Sequence, residues 1–189
     1  MKRSFVFAAV AVLSAVLASQ AVAQDFYIGV KFGLSQQKTK FEELEAFYAT
    51  EYSTVYGFCI GTKFSNFGLQ ANYFHSDHHL TLKEDIPPPE LDIERFKLNV
   101  IGANILYYLP IPVVQPYVSA GMGSYNVDVV GFAKDSSIGY NFGVGANIRV
   151  TELVSVSADG KYHLIKFDLD QYEMDLKEFT WYVSVNFHF

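Results

Sequence analysis

The chain has 189 residues, half of them hydrophobic and 16 % aromatic, with 14 basic against 20 acidic side chains and a single cysteine. The acidic balance argues against nucleic acid as a partner, since phosphate contacts need clustered Lys and Arg, and Cys59 alone cannot close an intramolecular disulfide. Beyond residue 23 no apolar run reaches the ~20 residues of a spanning helix, so a bilayer could be crossed only by strands closed into a barrel.

Lys2 and Arg3 precede an apolar run from Phe5 to Ala18, and Ala21-Val22-Ala23 stands before Gln24. A positive head, a short apolar stretch and a small-x-small end predict a secretory signal peptide over residues 1–23, cut between Ala23 and Gln24. The run is too short for a membrane anchor, and no cysteine stands at the junction to carry a lipid. Cleavage would leave 189 − 23 = 166 residues in one domain, 24–189, and losing Lys2 and Arg3 would move the formal charge from −6 to −8.

Alternation with period two then dominates. Phe26, Ile28, Val30, Phe32 and Leu34 alternate with Tyr27, Gly29, Lys31, Gly33 and Ser35, a strand with one greasy face. The second strand covers Thr54–Phe64, with Tyr56, Phe58, Ile60 and Phe64 on the greasy face. The third, Leu69–His75, follows a turn at Ser65–Gly68. In the fourth, Phe96–Leu109, apolar parity shifts from Phe96, Leu98 and Val100 to Ile101, Ala103, Ile105 and Tyr107, which predicts a bulge near Gly102 and leaves Lys97 and Asn99 inward. Pro110-Ile111-Pro112 breaks the chain before the fifth strand, Tyr117–Phe132. The sixth is Ile138–Val150, the seventh Val154–Leu164, and the last alternates Phe179, Trp181, Val183, Val185, Phe187 and Phe189 with polar or small partners and Tyr182.

Connections after the second, fourth and sixth strands are short. Those at Gln36–Ser53 and Ser76–Arg95 are long and charged, Lys166–Lys177 is intermediate and acidic, and Ala133–Ser137 is short. Such asymmetry fits an outer-membrane barrel with short periplasmic turns, external loops and both termini periplasmic. A soluble sandwich or lipocalin-like barrel would carry abundant charge on the face opposite the apolar one, whereas here that face is Gly, Ser, Asn, Thr and Tyr with isolated charges. The expected fold is therefore all-β: an eight-stranded antiparallel up-and-down transmembrane β-barrel behind a cleavable signal peptide, located in the bacterial outer membrane.

Trp181, Val183, Val185, Phe187 and the terminal Phe189 resemble the signal by which barrel-assembly machinery recognises outer-membrane substrates. The stretches Pro116–Gly123, Gly139–Ala146 and Asn104–Pro110 resemble strands of the small OmpA/OmpX-like outer-membrane β-barrel domains. That resemblance covers the whole mature chain. It implies outer-membrane lipid and lipopolysaccharide as surroundings, periplasmic chaperones and assembly machinery during biogenesis, and a monomer. The family includes adhesins, structural tethers and weak pores, so activity stays open.

Charges on the inward faces are the candidate lumen network: Lys31, Lys97, Arg149, Asp159 and Lys161, with Arg149 as a third member beside Asp159 and Lys161. In a narrow barrel they must be paired or hydrated, either as an ion-pair plug or as the lining of a gated conduit. Inward Gly57, Gly61, Gly121, Gly143 and Gly145 would leave room for water, and Cys59 is expected to be a small lumen filler. His75, Asp77, His78 and His79 are weak metal candidates, because their spacing matches no standard ligand set. No cofactor motif is present. For an enzyme acting on outer-leaflet lipid, a Ser–His–acid set is required, yet no Ser stands two residues beyond His163. A barrel protease needs paired acids and a His around its mouth, and no spacing singles out a pair among Glu84, Asp85, Asp168, Asp170 and Asp175. The acidic-aromatic stretch Glu42, Glu43, Glu45, Phe47, Tyr48 and Tyr52 is a candidate contact surface. The expectation is a non-enzymatic envelope component. A small porin-like or gated channel comes second, and a lipid-modifying enzyme third.

Overall fold

The computed structural model describes residues 25–41, 52–79, 95–129, 133–169 and 172–189. The signal peptide and its cleavage site lie outside them. Eight strands follow in chain order: β1 (Asp25–Phe41), β2 (Tyr52–Phe64), β3 (Phe67–His79), β4 (Arg95–Tyr108), β5 (Val114–Val129), β6 (Ala133–Arg149), β7 (Val154–Leu169) and β8 (Tyr172–His188). Each pairs antiparallel with the next, and β8 returns to β1 from Tyr27↔His188 to Phe41↔Met174, so the sheet is a closed barrel. Closure removes both sheet edges, as backbone groups in lipid require.

The barrel is inside-out relative to a soluble one. Phe32 is 62 % exposed, Val144 63 % and Trp181 59 %, while Lys31, Asp159 and Lys161 are buried in the lumen. An apolar ring of this extent facing water would aggregate, whereas in hydrocarbon it costs nothing. On β1 the ring runs from Phe26 to Leu34, about 26 Å along the strand at ~3.3 Å per residue. With a strand tilt of ~40° that covers about 20 Å of bilayer. At the loop end the outward positions turn polar in register: His75↔Asn99↔Asn126, then Asp77↔Lys97↔Asp128.

β4 corrects the sequence reading. Pairing with β3 and β5 runs without interruption past Gly102, from His79↔Arg95 to Phe67↔Tyr107 and from Phe96↔Val129 to Tyr108↔Tyr117. There is no bulge. Leu98 (0 % exposed) and Val100 (2 %) point inward, which puts Lys97 and Asn99 on the outer face. The parity shift reflects a change in the lumen, which is apolar at this height, rather than a slipped strand. The strands also reach beyond the apolar ring, because pairing continues through polar residues that hydropathy treats as loop. Gln36–Phe41 belongs to β1, Ser76–His79 to β3 and Ala133–Ser137 to β6.

Short turns close one end. Ser65 takes φ 53° in the two-residue link between β2 and β3. Val113 takes φ 73° between β4 and β5, where the Val114 amide donates to Pro112 O at 2.9 Å. Thr151 Oγ1 accepts from the amides of Leu153 and Val154 at 3.2 and 3.0 Å, fixing the turn from β6 to β7.

Candidate functional site

Alternation places every second side chain of eight strands in one lumen, and three levels can be distinguished. At the short-turn end, Arg149 Nη2 lies 2.6 Å from Asp25 Oδ2, and His188 Nδ1 lies 2.7 Å from Asp25 Oδ1. Ser155 Oγ lies 2.7 Å from His188 Nε2. Lys63 Nζ donates to Gln115 Oε1 at 2.6 Å and sits 4.5 Å from the centre of the Tyr108 ring. These residues surround a cavity of about 60 Å³.

The middle level holds the charges. Asp159 receives Lys31 and Lys161, each 3.9 Å away. Lys31 Nζ also donates to Gln70 Oε1 at 3.4 Å, and Gln70 Nε2 donates to the Tyr27 hydroxyl at 3.0 Å. With the Asn104 amide oriented to present its oxygen to the cation, it accepts from Lys161 Nζ at 2.6 Å and from Asn72 Nδ2 at 2.9 Å. One carboxylate among two ammonium groups is tolerable in a narrow lumen because the amide oxygens of Gln70 and Asn104 carry part of the solvation of the cations.

Above this the lumen turns apolar. Val55, Phe74, Leu98, Val100, Tyr125, Val127, Ile165 and Tyr182 form one buried cluster. Its polar insertions are half paired: the Tyr125 hydroxyl lies 2.6 Å from His163 Nδ1, and Glu178 Oε1 accepts from Ser35 and, at 3.4 Å, from Thr180, while His163 Nε2 and Glu178 Oε2 are buried without a hydrogen bond. Between this cluster and the charges lies a cavity of about 10 Å³, about the least that holds one water.

Of the predicted network, Lys31, Asp159 and Lys161 converge. Arg149 does not: it stands at the mouth, where Asp25 is its partner. Lys97 is on the outer surface, between Asp77 and Asp128 in register. The inward glycines do not leave water space. A Cβ at Gly61 would come within 2.5 Å of the Tyr27 ring, and one at Gly145 within 2.5 Å of the Tyr117 ring. Gly61 and Gly145 are each the seat of a tyrosine from the neighbouring strand, laid against the wall, while Gly57, Gly121 and Gly143 are closed by Phe74, Asn104 and Ser119 with Lys161. Cys59 is buried in the lumen with Sγ 3.7 Å from Asn186 Oδ1.

Among the metal candidates, His75 Nε2 lies 3.8 Å from Asp77 Oδ2, while His75 Nδ1 is 2.8 Å from Asn99 Oδ1. The side chains of His78 and His79 lie outside the described residues, as do the acidic-aromatic stretch 42–51, Glu84 and Asp85 and the side chains of Asp168, Asp170 and Asp175. Among the described residues no three His, Cys, Asp or Glu side chains converge. Trp181, Val183, Phe187 and Phe189 face outward on or just past β8, and the Phe189 amide donates to Phe26 O at 2.8 Å. Sequence reasoning missed Glu178 as a lumen acid and missed the Asp25–His188–Ser155 line.

The family model described as outer membrane protein beta-barrel domain matches residues 5–189. The chain is similar in structure to Neisserial surface protein A, at 19 % identity and a TM-score of 0.64, covering 87 % of this chain and 97 % of that one. It is similar to the outer membrane protein OprG from Pseudomonas aeruginosa, at 15 % identity and a TM-score of 0.64 over 88 % and 96 % of the two chains. The outer membrane protease OmpT from Escherichia coli matches at 10 % identity and a TM-score of 0.51, over 88 % and 97 %. At such identities the likeness is one of fold. No curated protein matches the chain.

Proposed function

The chain belongs to the outer membrane protein beta-barrel domain family, and from that premise we propose that it is an integral envelope component whose barrel anchors external loops that act by contact rather than catalysis. The observation that carries this reading is the buried apolar cluster across the loop end of the lumen. Eight side chains from Val55 to Tyr182 stand where a conduit would need a hydrated path, and they make the barrel an anchor rather than a pore.

In this reading the short turns and both termini face the periplasm, after a signal peptide has been removed at Ala23-Gln24. The loop end faces the medium. The outward ladder Asp77, Lys97 and Asp128 lies at the level of lipopolysaccharide headgroups, and the loop bearing Glu42, Glu43, Glu45, Phe47 and Tyr48 offers the contact surface. Outward apolar residues of β8 serve as the assembly signal during biogenesis, and the protein works as a monomer.

Two measurements test this. Purified protein in planar bilayers is expected to give no conductance steps; reproducible openings of defined size would replace the anchor by a channel. An epitope inserted between Glu84 and Asp85 is expected to bind antibody on intact cells, and staining only after permeabilisation would reverse the orientation.

A further inference from the structure

The short-turn end holds an arrangement that neither an anchor nor a plug requires. Ser155 Oγ lies 2.7 Å from His188 Nε2, and His188 Nδ1 lies 2.7 Å from Asp25 Oδ1. With Nδ1–H donating to the carboxylate, the lone pair on Nε2 is left to accept the serine proton. These are the relations of a nucleophile, its general base and the acid that fixes the tautomer of that base. Such a set is recognised by geometry rather than by chain order.

Each member is held from a second direction. Arg149 Nη2 binds the other oxygen of Asp25 at 2.6 Å. The His188 amide donates to Leu153 O at 2.8 Å, and its ring packs 5.6 Å from that of Tyr27. Ser155 follows directly on the turn braced by Thr151. Asn186 Nδ2 donates to Ser155 Oγ at 3.4 Å and to Ser157 Oγ at 3.3 Å, which sets an amide donor beside the nucleophile where charge would develop. Asp25, Ser155, Asn186 and His188 all line the cavity of about 60 Å³. Since one water needs about 10–15 Å³, that space takes an acetyl-sized group and little more.

We propose that Ser155, His188 and Asp25 form an esterolytic site for short, acetyl-sized acyl esters presented at the short-turn mouth. Ser155 Oγ attacks the ester carbonyl carbon as its proton passes to His188 Nε2. The tetrahedral adduct then breaks its bond to the alcohol oxygen, which leaves with that proton. Water attacks the acyl-serine, giving a proton to His188; the carboxylic acid departs and Ser155 regains its proton. The sum is ester plus water to acid plus alcohol, with no further reactant. Ser155 and His188 are the catalytic residues, and Asp25 positions the imidazole. The site goes beyond the envelope role, and only its assignment to the periplasmic side rests on the orientation proposed above.

The test uses protein purified in detergent from outer membranes, treated with methanesulfonyl fluoride and mapped by peptide mass. In parallel it is assayed with p-nitrophenyl acetate and p-nitrophenyl octanoate. The expected results are a methanesulfonyl group on Ser155 and turnover of the acetate but not the octanoate. Loss of at least a hundredfold in Ser155→Ala and His188→Gln, and full activity in Ser119→Ala, complete the pattern. Asp25→Asn should lower kcat with KM unchanged, and Asp25→Glu should restore part of it, which a merely structural role would not do. Heat-modifiable migration on gels establishes that each variant is a folded barrel, and labelling of the unaltered protein needs no variant. An unlabelled Ser155, or acetate hydrolysis equal in the unaltered protein and folded Ser155→Ala, overturns the proposal and leaves the three residues as a structural clasp, with the conductance and epitope results untouched.

Discussion

Val113 is a β-branched residue at φ 73°, a region where a Cβ crowds the preceding carbonyl and where γ-turns are strained. Its side chain is 79 % exposed, so little packing holds it there. Val113→Gly should therefore raise stability by about 1 kcal/mol in urea unfolding from lipid vesicles; an unchanged midpoint would mean that the turn relaxes. Gly61 presents the opposite case. A Cβ there would meet the Tyr27 hydroxyl at 2.5 Å and Leu69 O at 2.8 Å, so Gly61→Ala should cost about 2 kcal/mol by the same measurement. Asp159 is a third: Asp159→Asn leaves Lys31 and Lys161 facing each other without their anion, at a cost of about 3 kcal/mol, and the triple change Lys31→Met, Asp159→Leu, Lys161→Met should recover most of it. If the triple variant is no better than the single one, the charges are not a closed set. At this scale the sequence was partly legible. Parity brought Lys31, Asp159 and Lys161 to one face, but it could not show that Tyr27 and Tyr117 lie over Gly61 and Gly145, because ring direction across a register pair is a matter of packing.

At the scale of the strand, β4 shows where alternation misleads. Hydropathy expects apolar residues outside, yet the upper lumen is itself apolar, so Leu98 and Val100 carry the signature of an outward face while pointing inward. The neighbouring registers decide the matter, since Val100 pairs with Phe74 and Tyr125, both inside. Leu98→Asp should then destabilise the barrel by at least about 3 kcal/mol by burying a lone carboxylate, whereas Lys97→Leu, on the outer surface, should change stability by less than about 1 kcal/mol. The reverse order of effects would restore the bulge. Strand ends show the complementary limit: β1 and β8 remain paired out to Phe41↔Met174, well beyond the greasy segment, since backbone pairing does not require apolar side chains.

For the molecule as a whole, an apolar exterior and a lumen that holds the buried charges follow from one rule, alternation on a closed sheet, and that rule was visible in β1 and β8 from the start. What closure adds was not visible. Asp25 and His188 are 163 positions apart in sequence; they meet only because β8 returns to β1, and Ser155 joins them only because β7 pairs with β8 through Ser155↔Asn186. A search for local Ser–His spacing cannot find a set assembled by the barrel seam. The inside-out arrangement itself has a direct probe in Trp181, the single tryptophan of the chain, which stands 59 % exposed on the outer face of β8. In vesicles of acyl-chain-brominated phosphatidylcholine its fluorescence should be strongly quenched, with little effect of aqueous acrylamide. Emission indifferent to the brominated lipid but quenched by acrylamide would contradict a barrel whose greasy face meets the membrane.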